Sequence, residues 1–221
     1  MTTIPRPSFI SLLSALAVGA VFGAATSLAN AAATTTVDLE SAEAATRGWS
    51  IMEIVSILLD AGWAWAGLGV LAGWWATRGP GGVLTGRRLA RGAVVGVVAL
   101  LAATAAYYLA DTIVHDVSSG SYVHDTVYWW VASALFGPVL GAIGACAGHP
   151  GVIGVLARLT VPVGAAVQMA VLPPGRNDVL RNIGQWVVWT AAAVTVGLVF
   201  ACFLRVRWRA SRAEAARNDL R

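Results

Sequence analysis

Six stretches of about twenty apolar residues, most of them ending beside arginine, constrain this chain more than anything else in it. A bilayer core is about 30 Å thick, so a spanning helix needs about 20 largely apolar residues. The runs extend from about Phe9 to Ala29, Ser56 to Ala76, Gly92 to Val114, Thr126 to Ala147, Gly154 to Leu172 and Gly184 to Leu204. Backbone groups in hydrocarbon must be satisfied within their own segment, so runs of this length predict helices. Barrel strands would be shorter and would alternate in polarity. The predicted class is therefore all-α: a polytopic transmembrane helix bundle of about six spans. It occupies residues 1–221 as a single integral membrane domain and ends in a basic tail over 205–221.

Composition agrees. Only 12% of the 221 residues are charged, against about 25% in a typical soluble domain, so much of the surface must face lipid. All fifteen basic residues are arginine. Arginine in place of lysine, with abundant Ala, Gly and Val, is what GC-rich codons produce. That points to a bacterium and, for a helical membrane protein, to its cytoplasmic membrane.

The arginines also set a direction. Positive residues stay on the cytoplasmic side. With the N-terminus inside, Arg6, Arg78, Arg87, Arg88, Arg91 and Arg158 fall inside, as do Arg205, Arg207, Arg209, Arg212, Arg217 and Arg221. Only Arg47, Arg176 and Arg181 fall outside, so the expected threading is N-in/C-in. Tryptophan, which prefers the interface, clusters at span ends as Trp74-Trp75, Trp129-Trp130 and Trp186 with Trp189. The basic residues form no separate domain, and nucleic acid is not an expected partner. The expected partners are the bilayer and, for some readings below, another membrane subunit.

The first run invites two readings. Arg6 before an apolar stretch, with Ala29-Asn30-Ala31 as a small-x-small site, fits a signal peptide. The stretch is long for that purpose, and Ser11, Ala15, Gly19, Gly23 and Ser27 recur every fourth residue. They make a smooth face suited to close helix packing, which favours a retained helix. Between Thr34 and Val55, Asp38, Glu40, Glu43 and Arg47 precede an apolar lead-in. Either a short interfacial helix or an early first turn of the second span is expected there.

Three features can carry chemistry. Asp60 lies in an apolar run, where a carboxylate costs about 2.5–3.5 kcal/mol and normally faces protein or water. Glu53 and Gly67, seven residues to either side, place an acidic stripe on one helix face, suited to a substrate or ion. The plainer reading is that Asp60 caps the second span. Asp111, His115, His124 and Asp125 gather around the outer loop between the third and fourth spans. They could hold a divalent metal or an acid/base pair, or simply be a solvated loop. Gly137-Pro138, followed by Gly141 and Gly144, predicts a helix break, which in transporters marks a binding site, or a packing kink. Arg158 is expected to reach the headgroups, and Gln168 and Gln185 to hydrogen-bond between helices. Cys146 and Cys202 read as small apolar residues. No organic cofactor is expected.

Gly19-xxx-Gly23, the segment from Trp63 to Gly73, Tyr107-Tyr108 and Phe136-Gly137-Pro138-xx-Gly141-xx-Gly144 form a series. It resembles an uncharacterised family of small bacterial multi-pass membrane proteins, which implies a helical membrane fold and no known activity. The acidic segment before the second span departs from that pattern. More loosely, the architecture is similar to the substrate-binding subunits of vitamin transporters. The leading functional expectation is a non-enzymatic component that binds or helps move a small solute. A membrane-embedded enzyme with an outer-face metal or acid/base site, and a structural or assembly partner of another membrane protein, are the alternatives.

Overall fold

The computed structural model describes residues 9–35, 48–79 and 84–218. Asp38, Glu40, Glu43 and Arg47, like Arg6 and Arg221, lie outside the described residues. Among the described residues there are seven α-helices and no strand. They are α1 (Phe9–Thr35), α2 (Ile51–Asp60), α3 (Gly62–Ala76), α4 (Gly86–Val114), α5 (Val123–Ala147), α6 (Val152–Val171) and α7 (Asp178–Asn218). A short 3-10 turn, Ser119–Tyr122, joins α4 to α5. Five of the helices, all but α2 and α3, are long and apolar enough to cross a membrane. The α2–α3 pair, bent by 59°, is apolar enough to add a sixth when counted as one broken span. The protein is thus a multi-pass helical membrane protein, as the apolar runs predict.

The helices start where local chemistry allows. Ser50 precedes α2, and its hydroxyl accepts from the Glu53 N–H at 3.1 Å, covering one of the amides left open at a helix start. Thr85 does the same for α4 through the Arg88 N–H. Asn177 accepts from the Leu180 N–H at the start of α7. The last helix runs 41 residues, so the basic tail continues it as one rod through Asn218.

Helix α4 is central. Its one side receives the small face of α1: a Cβ on Gly19 would overlap the Ala99 carbonyl, and one on Gly23 the Ala103 carbonyl. Its other side meets α5, where Gly92 and Gly96 lie against Gly137 and Gly141. Helix α3 closes the group, with Gly73 on Gly141 and Gly144 on Val70. Lipid gives helices no hydrophobic reason to associate, so backbone-to-backbone fit takes that place. Leu68, Val95, Ala99, Leu100 and Ala103 fill the remaining core.

The glycine-proline segment behaves differently from one of its two expectations. Helix α5 runs unbroken through Gly137 and Pro138. Proline removes one backbone bond, but the flanking glycines seat α5 against α4, and packing holds the helix together. The interrupted span is the second, at Ala61, whose backbone is extended (φ −63°, ψ 137°).

Helices α6 and α7 pair beside this core. Met169, Ala165 and Val188 are buried together against Leu58 and Trp63. Gln185 donates to the Met169 carbonyl at 2.8 Å, and the Trp189 indole donates to the Ala166 carbonyl at 3.1 Å. Arg158 is exposed, and its Nε donates at 2.7 Å to the Ala147 carbonyl, where the negative end of α5 favours a cation. Arg78 stacks on Trp75, 3.4 Å from the ring centroid, at the same end of the bundle.

Candidate functional site

The break at Ala61 organises the site. Asp60 and Gly62 are both weak helix formers, and nothing in Leu59-Asp60-Ala61-Gly62 holds the turn closed. Restarting a helix inside an apolar span exposes amides that must find partners. Gln168 on α6 supplies one: its Oε1 accepts from the Trp63 N–H at 2.9 Å. Gly62 makes room, because a Cβ there would stand 3.3 Å from that same oxygen. The expectation that Gln168 bonds between helices is met, with backbone as the partner. The N-cap position of α3 falls to Ala61, which has no capping side chain, so Asp60 does not cap the span.

Asp60 instead borders a cavity of about 470 Å³ between α3, α4 and α5. Trp65, Tyr107, Tyr108, Trp129 and Phe136 wall it, with Thr104 and Ser133 on its floor. The two hydroxyls are 3.5 Å apart and buried. From Leu100 to Tyr108 the cavity follows α4 for roughly 12 Å, at 1.5 Å per residue. Its size is that of a small-molecule site. Among the described residues Asp60, itself exposed, is the only charged one lining it, and no hydrogen bond or ion pair joins that carboxylate to another described residue.

The walls are held from behind. Trp65 meets Phe22 and Tyr107 edge-on, at 5.4 and 6.1 Å between centroids, and Tyr107 meets Tyr108 at 5.1 Å. Asn30 on α1 donates to the Tyr107 hydroxyl at 3.0 Å and accepts from Ser56 on α2. Three helices therefore fix one phenol.

The other expected site residues go elsewhere. Glu53 is buried and taken by Arg176 on the α6–α7 loop, through Nε at 2.5 Å and a second guanidinium nitrogen at 3.2 Å. The same guanidinium and Asn177 also donate to the Gly48 carbonyl. Glu53 is thus a clasp, and the acidic stripe with Asp60 and Gly67 does not form: Gly67, beyond the bend, faces Val161 of α6. Asp111 accepts from Ser27 at 3.2 Å and lies 3.6 Å from His115. His124 and Asp125 are exposed in the first turn of α5. Among the described residues, no three His, Cys, Asp or Glu side chains converge as a metal site.

Sequence reasoning singled out Asp60 but missed Trp65, Tyr107, Trp129, Thr104 and Ser133 as its surroundings. One signal was available: Asp-Ala-Gly inside an apolar run, with a glutamine at similar depth in another span.

The fold and the cavity define a class, a helical multi-pass membrane protein with a small-molecule-sized chamber at a broken span. No protein-family model matches the chain, and comparison with curated proteins and solved structures finds no match.

Proposed function

We propose that this protein binds a small solute in the Asp60 cavity as a transport-associated component of the bacterial cytoplasmic membrane, alone or with a partner subunit. The observation that carries this is the cavity at the α2–α3 break, edged by a carboxylate with no ion-pair partner among the described residues. Discontinuous helices recur at the binding sites of transporters because broken backbone can be tolerated only where protein or a cavity satisfies it. With the N-in/C-in threading, the arginine-rich helix ends lie in the cytoplasm and the cavity is nearer the outer face.

The test is retention of a ligand. Native mass spectrometry of protein extracted in mild detergent should show an added mass that is lost in Asp60→Asn and in the cavity-filling Ala132→Trp. Wild-type protein that stays empty after growth in several media argues against solute binding. For the threading, reporter fusions at Ser119 and after Arg221 should report opposite sides of the membrane.

A further inference from the structure

We propose that the cavity recognises a small organic cation, a quaternary or protonated amine with an apolar body. The inference rests on the solute-binding reading and names the chemistry of the solute. Three observations select it. First, Asp60 is the only charge among the described lining residues, and it is negative, so an anion meets nothing there that compensates it. Second, Asp60 is the last residue of α2, where unpaired carbonyls add negative potential, while Gln168 occupies the opposing N-terminus of α3 at the Trp63 amide. Third, the walls are aromatic. Indole and phenol faces attract a weakly hydrated ammonium through their quadrupoles; Trp65, Tyr107 and Tyr108 are half-buried, while Trp129 and Phe136 are exposed.

Other cations fit less well. A divalent metal wants several oxygen or nitrogen ligands, and among the described residues no such group converges. A bare monovalent ion would leave most of a 470 Å³ chamber unfilled. A purely apolar solute would make no use of the Asp60 carboxylate at the cavity's edge. Thr104 and Ser133, on the floor, can hydrogen-bond a hydroxyl or carbonyl at the far end of the solute.

The same ammonium chemistry comes from two sources, a free solute or a choline-type lipid headgroup, and the experiment separates them. Choline and its uncharged isostere 3,3-dimethylbutan-1-ol have the same shape and differ in charge. Binding of each is measured by equilibrium dialysis on the full chain in maltoside detergent. Choline should bind at least about tenfold more tightly than the isostere. Asp60→Asn should lose about tenfold or more for choline and leave the isostere unchanged, while Asp60→Glu keeps the preference. Trp129→Leu should weaken choline more than the isostere. In nanodiscs of phosphatidylglycerol choline should still bind. Its loss in phosphatidylcholine discs assigns the site to a headgroup, and its survival there assigns it to a free solute.

Equal affinity for choline and the isostere, or undiminished choline binding by Asp60→Asn, overturns the cation assignment. A screen of neutral and anionic solutes then separates the two levels. A neutral or anionic solute that Ala132→Trp excludes leaves the solute-binding reading standing and removes only the cation. If no choline or library compound binds wild type, and none alters its melting temperature, the solute-binding reading itself falls.

Discussion

Helix α1 meets its neighbour α4 through backbone, whereas α7 meets the rest of the molecule largely through side chains. Along α1, Gly19 and Gly23 bring the α4 carbonyls so close that no Cβ would fit. Along α7, Gly197 has open space around it, and Leu198, Phe200 and Leu204 are exposed to lipid. Beside the buried Met169, Ala165 and Val188, a short set of polar bonds ties α6 to α7 and the pair to the core: Gln185 to Met169, Trp189 to Ala166, Gln168 to Trp63, and Arg176 to Glu53. The first mode is steric, made of many small contacts, and tolerates no enlargement. The second is directional, relies on a few groups, and tolerates substitution wherever those groups are absent.

The contrast can be tested in order of expected effect. Gly23→Leu should be the most damaging change, because it forces a branched side chain into the Ala103 backbone. Overpacking of this kind costs about 3 kcal/mol or more, so we expect failure to recover monodisperse protein or a large fall in melting temperature. Gly197→Leu, the same change in open space, should leave recovery intact and should not lower the melting temperature.

Arg176→Ala comes next. It strands the buried Glu53 carboxylate, and with Arg176 partly exposed the expected loss is about 2 kcal/mol in detergent unfolding. The double variant Glu53→Gln with Arg176→Gln should recover much of it, since no charge is then left unpaired. A double variant no better than the single one would remove the ion pair from the account. Gln168→Leu should cost about 1 kcal/mol, the usual scale of a side-chain hydrogen bond between membrane helices. It should also speed hydrogen exchange at the Trp63 amide, which loses its acceptor.

The smallest effect has the opposite sign. Gly197→Ala should raise stability by about 0.5 kcal/mol, because alanine is the better helix former and meets nothing there. Gly23→Ala should lower stability despite the same gain in propensity. If both moved in the same direction, the division between the two packing modes would not hold.

The spans were legible because hydropathy is local: each run announces itself within about 20 residues. The small face of α1 was legible for the same reason, as a four-residue repeat, although its partner was not. The α2–α3 bend was not legible. Asp60 and Gly62 weaken the helix, but the bend also needs Gln168, more than a hundred residues away, to receive the freed amide. Pro138 gave the stronger local signal for a break, yet α5 is held straight enough by α4 to remain one helix. Glu53 illustrates the same limit. Its spacing from Asp60 suggested a shared acidic face, and only the fold brings Arg176 to it across 123 positions. The cavity walls come from three helices, and no periodicity in one run could associate Trp65 with Tyr107 and Trp129.

The 41 residues of α7 form a rod roughly 61 Å long, about twice the depth of the hydrocarbon layer. Such a rod is a lever pivoted at its first turn. Tilting it by roughly 10° would carry its tip sideways by roughly 10 Å, given the helical rise per residue. The loop at its other end is clasped to α2 through Arg176 and Glu53, so the rod is anchored to the helix that ends at Asp60.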